Sequence, residues 1–138
     1  MDNRYNPLNI STIMKKALFT MLMMLTLSIT AFAQAEIRFE HLEHDYGKFS
    51  EKDGVQTCEF KFKNNGDKPL VVNRAVASCG CTVPSYTKQP IAPGETGVIT
   101  VKYNGEGKFP CKFRKTITVY TNGKREMTRL YITGEMTE

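Results

Sequence analysis

The sequence predicts an all-β protein, an antiparallel β-sandwich of about seven short strands. Three observations predict it. Apolar and polar residues alternate with a period of two through one segment after another beyond Ala35. Between those segments stand residues that favour tight turns: Asn65-Gly66-Asp67 with Pro69, then Pro90, Pro93-Gly94 and Asn122-Gly123. No stretch beyond Ala35 keeps a helical period for as long as three turns.

The first element from the amino terminus stands apart from the sandwich. Lys15-Lys16 precede a run over residues 17–33 that carries no charge and ends in Ala31-Phe32-Ala33. A charged segment, an apolar segment and a small-residue A-x-A site in that order predict a secretory signal peptide. An uncleaved anchor is the competing reading, but a span needs about 20 apolar residues. This run offers 17, Thr and Ser among them. Residues 1–33 are therefore expected to be an N-terminal extension and signal peptide, and residues 34–138 one sandwich domain. Met14 lies directly before the two lysines and competes with Met1 as the first residue.

Within the domain, residues 37–42 and 46–49 form the first two expected strands. Residues 55–63 alternate most cleanly, with Cys58, Phe60 and Phe62 on one face and Thr57, Glu59, Lys61 and Lys63 on the other. Residues 70–77 follow the Asn65-Gly66-Asp67 turn. In residues 97–103, Ile99, Val101 and Tyr103 share a face. Residues 113–120, the Asn122-Gly123 turn and residues 127–136, where Leu130 and Ile132 face one way, complete the set. The expected core is Phe60, Phe62, Leu70, Val72, Val101, Ile117, Val119, Leu130 and Ile132.

Composition narrows the function. The chain has 138 residues, 41% hydrophobic and 24% charged, with four Cys and no Trp, values that fit a globular protein and exclude a collagen-like or disordered one. Its net charge is +5, but removing the 3 basic and 1 acidic residues of segment 1–33 from totals of 19 and 14 leaves 16 and 13. The domain is then only +3, and a nucleic-acid surface is not implied. Lys112, Arg114, Lys115, Lys124, Arg125 and Arg129 read as the solvated face of two strands. Ser78 and Ser85 have no His and Asp at a recurring spacing, and no Gly-rich phosphate loop opens a helix. No catalytic residue, no cofactor and no enzyme activity are expected. His41 and His44 lie three apart, which in a strand puts them on opposite faces and reads as surface or turn histidines. Asp45 before Tyr46-Gly47 reads as a turn residue. Without Trp, a glycan platform has little support.

Cys79-Gly80-Cys81 is the constellation that could carry chemistry. In an extended strand, residues two apart sit about 6.5 to 7 Å apart at Cα, at the limit for a disulfide, so a direct bridge needs a sharp fold at Gly80. Loop entropy gives such a bridge roughly 1.6 kcal/mol, against roughly 4 kcal/mol for closing the loop from Cys58 to Cys111. The first would be a redox element or an incidental bond, the second a staple. Two thiolates facing one way would also suit Cu(I) or Zn(II), so Cys79 and Cys81 are the alternative metal ligands. An even cysteine count in an exported chain favours disulfides among Cys58, Cys79, Cys81 and Cys111.

Asp67-Lys68-Pro69-Leu70-Val71-Val72, Ser78-Cys79-Gly80-Cys81-Thr82 and Ile91-Ala92-Pro93-Gly94-Glu95 resemble a family of short exported bacterial domains of unknown function. His44-Asp45-Tyr46-Gly47, the segment Phe113-Arg114-Lys115-Thr116-Ile117-Thr118-Val119, and Thr121-Asn122 are similar to that family as well. The similarity runs from about Ile37 to Gly134, and Cys58 and Cys111 fall outside its pattern. It implies an immunoglobulin-like sandwich similar to major sperm protein, PapD-type chaperones and Hydin-type domains, and no established activity. In an immunoglobulin-like strand order all four sulfurs gather at one pole within about 15 Å. Cys58 with Cys111 is then the first pairing expected, and Cys111 with Cys79 or Cys81 the second.

The function expected is an exported, non-catalytic interaction or scaffold module, periplasmic or secreted. Its partner would be another envelope or secreted protein, recognised through open sheet edges, with no nucleic acid and no stable membrane insertion once the signal is removed. The alternative is a thiol redox or copper-handling protein centred on Cys79 and Cys81.

Overall fold

The alternating segments pair into two four-stranded sheets. The structure, a computed structural model, describes residues 7–25 and 33–138, which divide into the units Met1–Phe32 and Ala33–Glu138. In the first unit, helix α1 covers Pro7–Leu25, and its side chains from residue 10 to residue 22 are exposed. Among the described residues, no helix is long and apolar enough to cross a membrane. The first two residues of the expected cleavage tripeptide, Ala31 and Phe32, and Met1 lie outside the described residues.

The second unit holds eight strands: β1 (Ile37–Phe39), β2 (Glu43–Ser50), β3 (Gln56–Asn64), β4 (Val72–Ala77), β5 (Thr82–Tyr86), β6 (Thr96–Tyr103), β7 (Lys112–Thr121) and β8 (Met127–Thr137). One sheet has the order β1-β3-β6-β5 and the other β2-β8-β7-β4. The strand not foreseen is β5. It is short, carries Pro84 and pairs only with β6, and proline is tolerated at a sheet edge because no ladder donor is needed on the open side. Leu70 lies ahead of β4 and instead bridges Ile91, with the two backbones 2.8 Å apart in both directions.

All pairings but one are antiparallel; β2 runs parallel to β8, from Glu43 opposite Tyr131 to Ser50 opposite Thr137. The reason lies in the link from β1. Residues 40–42 carry the chain into the opposite sheet without reversing it, so β2 continues in the direction of β1. A register shift between Asp45 and Lys48 accommodates Gly47 at φ 68°, its N–H bonded to the Asp45 carboxylate at 2.9 Å.

All nine expected core residues are buried, joined by Ile37, Phe49, Ile91, Ile99, Tyr103 and Met136. One polar side chain is wholly enclosed with them. Asn64 donates to the carbonyls of Lys68 at 2.7 Å and Ile91 at 2.9 Å and accepts from the N–H of Gly66 at 3.0 Å and Glu36 at 3.3 Å. It ties the entry segment, the 65–69 turn and the 91 bridge together at one pole, and its own bonding groups are met in doing so.

Candidate functional site

The opposite pole collects the four cysteines. Gln56 at the start of β3 pairs with Tyr103 at the end of β6, which pairs in turn with Thr82 at the start of β5. Tyr103 stacks on Phe113, near the start of β7, at 4.3 Å between ring centroids, which brings the other sheet to the same end. Phe49 meets both rings edge-on at 6.1 and 6.0 Å, and Tyr46 meets Phe49 at 6.2 Å. A side chain at Gly134 would run into the rings of Phe113 and Phe49, so glycine leaves room for this packing.

The chain passes from β4 to β5, and so from one sheet to the other, through Ser78-Cys79-Gly80-Cys81. The fold at Gly80 brings the Cα atoms of Cys79 and Cys81 to 5.4 Å, and the two sulfurs form a disulfide. Backbone bonds brace both sides of this corner. The Ser78 N–H reaches the Thr116 carbonyl at 2.9 Å, the Thr116 N–H reaches the Ser78 hydroxyl at 3.1 Å, and the Asn104 N–H reaches the Cys81 carbonyl at 2.8 Å. The buried Thr82 hydroxyl lies 3.7 Å from the Cys79 sulfur and 3.8 Å from that of Cys81. The residues on the rim, Ser78 and Gly80, are exposed, and the two cysteines are half-buried.

Cys58 and Cys111 are free thiols, so the pairing expected first is not formed, nor is either bridge from Cys111 to the corner. Burial explains the difference. Cys58 faces inward from β3, and its sulfur accepts a hydrogen bond from the Tyr46 hydroxyl at 3.2 Å; the same hydroxyl also lies 3.3 Å from the Val101 carbonyl. Cys111 stands exposed just before β7, while its carbonyl accepts from Met136 at 3.0 Å. With Cys79 and Cys81 bridged, neither offers the thiolate that a soft cation would need.

Burial pushes the Cys58 thiol pKa up; the bond from Tyr46 works against this, and the charge of Glu59 adds to it. Tyr46 is raised by burial first, then by its bond to Cys58 and the charge that thiol could carry. Tyr103 is raised by burial, with Cys111 acting in the same direction. All three groups hold their protons, so the pole is uncharged at neutral pH apart from its rim.

The other expected positions lie elsewhere. His44 packs edge-on against Tyr46 at 4.9 Å, and His41 is exposed before β2 rather than within a strand. Of the basic residues, Arg114 pairs with Glu43 at 3.0 Å and covers the Tyr131 ring at 4.1 Å, and Lys112 is 3.9 Å from Glu135. Ser78 bonds the backbone, while Ser85 is exposed on β5. Two residues at this pole were missed in the sequence. Thr82 was visible only as the last letter of a motif, and Tyr46 only as a neighbour of Asp45; neither has a sequence pattern that announces a contact with a sulfur.

Residues 37–136 match a family described as a protein of unknown function (DUF1573). No curated protein matches the chain. Among solved structures, the chain is similar to a protein of unknown function from Porphyromonas gingivalis W83, with TM-score 0.66 and 15% identity over 78% of this chain and 50% of that one. It thus spans half the length of that protein. The ASH/PapD-like domain 7 of human CEP192 is similar at TM-score 0.62 and 7% identity, over 80% of this chain and 92% of that domain. The periplasmic chaperone SfaE is similar at TM-score 0.56 and 9% identity, over 75% and 59%. At these identities the likeness concerns the fold, an immunoglobulin-like sandwich of the PapD type.

Proposed function

The chain belongs to the DUF1573 family of proteins of unknown function, and on that premise we propose that it is an exported, non-catalytic interaction module that binds another envelope or secreted protein along its β4–β5 side. One observation carries this reading. β4 and β5 are open edges of opposite sheets, joined directly by the Cys79–Cys81 corner, and each presents a valine to solvent, Val76 at 48% exposure and Val83 at 60%. Each strand is paired along one flank only; the Tyr86 hydroxyl of β5 bonds the Asn73 carbonyl of β4 at 3.0 Å, and the rest of each open flank offers backbone donors and acceptors beside an apolar contact. Export is supported by the uncharged run after Lys15-Lys16 and by a helix whose apolar side chains, Leu18, Phe19, Met21 and Leu22, are exposed rather than packed. The PapD-type fold supports a binding role without specifying the partner.

A photo-reactive residue placed at position 76, 83 or 59 in turn, in cells that make the full chain, tests the reading. Glu59 is exposed in the middle of a sheet and serves as the control. Adducts of one size from positions 76 and 83 and none from 59 are expected. Equal labelling at all three positions, or none with a monodisperse monomer, would remove the reading. A second reading, thiol redox or copper handling at Cys79 and Cys81, is favoured by the bridge at a half-exposed corner; copper would engage only the reduced pair.

A further inference from the structure

We infer that the Cys79–Cys81 corner is a thiol–disulfide exchange site whose substrate is a dithiol. The inference rests on the redox reading and is independent of docking on the β4–β5 side. Four observations converge on it. The ring contains only three residues, so the bridge removes little freedom from the unfolded chain and ties no two distant segments together. What holds the corner is a separate set of hydrogen bonds, from the Ser78 N–H to the Thr116 carbonyl, from the Thr116 N–H to the Ser78 hydroxyl and from the Asn104 N–H to the Cys81 carbonyl, which do not involve the sulfurs. The bridge is reachable, since both neighbours on its rim are exposed and a side chain at Gly80 would meet nothing within 4 Å. Finally, a buried hydroxyl, that of Thr82, lies within hydrogen-bond reach of both sulfurs, whichever of them leaves. A bridge that fastens nothing, stands open to attack and faces a donor able to hold a thiolate has the attributes of a labile disulfide rather than a structural one.

The exchange balances as follows. A thiolate of the partner attacks one sulfur of the pair along the S–S axis. A new S–S bond joins partner and corner, the Cys79–Cys81 bond breaks, and its electron pair leaves on the other sulfur, where the Thr82 O–H bonds to the resulting thiolate until it takes a proton. The partner's second thiol, deprotonated, then attacks the mixed disulfide and releases the corner. The partner loses two electrons and two protons and becomes a disulfide, while Cys79 and Cys81 become a dithiol. Once the corner is reduced, the hydrogen bonds around it keep β4 and β5 in place. The same exchange run backwards with a partner disulfide, which takes up the two electrons and two protons and becomes a dithiol, then restores the bridge.

The test uses the full chain with Cys111→Ser, which removes the exposed free thiol, and dithiothreitol as the dithiol probe. Bridge opening is followed by acid quench, alkylation and peptide mass. The expected result is complete opening, reversed when oxidised dithiothreitol replaces the reduced form, with an unchanged β-type circular dichroism spectrum. Thr82→Val should slow opening about tenfold by removing a hydrogen bond to a charged sulfur, and Thr82→Ser should restore the rate. Loss of the β spectrum on reduction would make the bridge a staple and overturn the proposal. So would a bridge that stays closed in excess dithiothreitol under native conditions, or a folded Thr82→Val protein that opens at the unaltered rate. Position-specific crosslinking through Val76 and Val83 can succeed or fail without touching any of these results.

Discussion

At the scale of single residues, the pole opposite Asn64 is defined by protons that do not leave. Cys58 is buried beneath the Tyr46 hydroxyl, and burial holds both groups above their ordinary values. The folded state therefore keeps the Cys58 proton at a pH where the unfolded chain has lost it. The stabilisation is complete below the unfolded thiol's pKa of about 8.5 and declines as pH rises above it, with the two tyrosines continuing the decline from about 10. The urea midpoint should fall between pH 8 and pH 10, and Cys58→Ala should make that fall shallower even though it lowers the midpoint at every pH. An equal slope in the variant would show that Cys58 does not carry the dependence. None of this was legible in the sequence, where Cys58 was an apolar member of an alternating strand and the expected partner of Cys111. Asn64 was equally silent: it adjoined a turn, and only its four partners, contributed by three separate segments, give it its place.

At the scale of elements, alternation did most of the work. β3 alternates so strictly that its inward face, Cys58, Phe60 and Phe62, follows from its letters, and the structure buries all three. Phe62 is fitted against Gly97 on the neighbouring strand, where any side chain would strike the ring. Phe62→Ala should cost about 3 to 5 kcal/mol, measured by denaturant unfolding, because the ring leaves a cavity that the two sheets cannot close. A cost below about 1 kcal/mol would mean that the sandwich relaxes around the site. β5 escaped notice because an edge strand needs neither strict alternation nor the absence of proline. β2 was placed as a strand, but its parallel partnership with β8 depends on a remote segment more than eighty residues away.

For the whole molecule, every core residue belongs to the stretch from Ala35 to Met136, and the described part of segment 1–33 contributes none. Residues 34–138 made alone should give a soluble protein with a β-rich circular dichroism spectrum and a single cooperative unfolding transition. A product that folds only with residues 1–33 attached would contradict the expected division. With Cys58 and Cys111 unbridged, stability must come from the two packed sheets and from the polar tie at Asn64, since the one disulfide closes a loop of three residues.

The sequence by itself determined the class of the fold, seven of the eight strands, nine of the core residues and the family, because alternation and turn chemistry are local properties written in consecutive residues. Only the tertiary structure decided which cysteines meet, which strands are left as edges and which hydroxyls face the sulfurs. Those outcomes depend on separations between atoms that distant segments bring together. Cys58 and Cys111 share a pole yet remain unbridged, one sealed beneath Tyr46 and the other exposed before β7, whereas Cys79 and Cys81 meet because the chain turns sharply over residues 78–81 as it passes from β4 to β5.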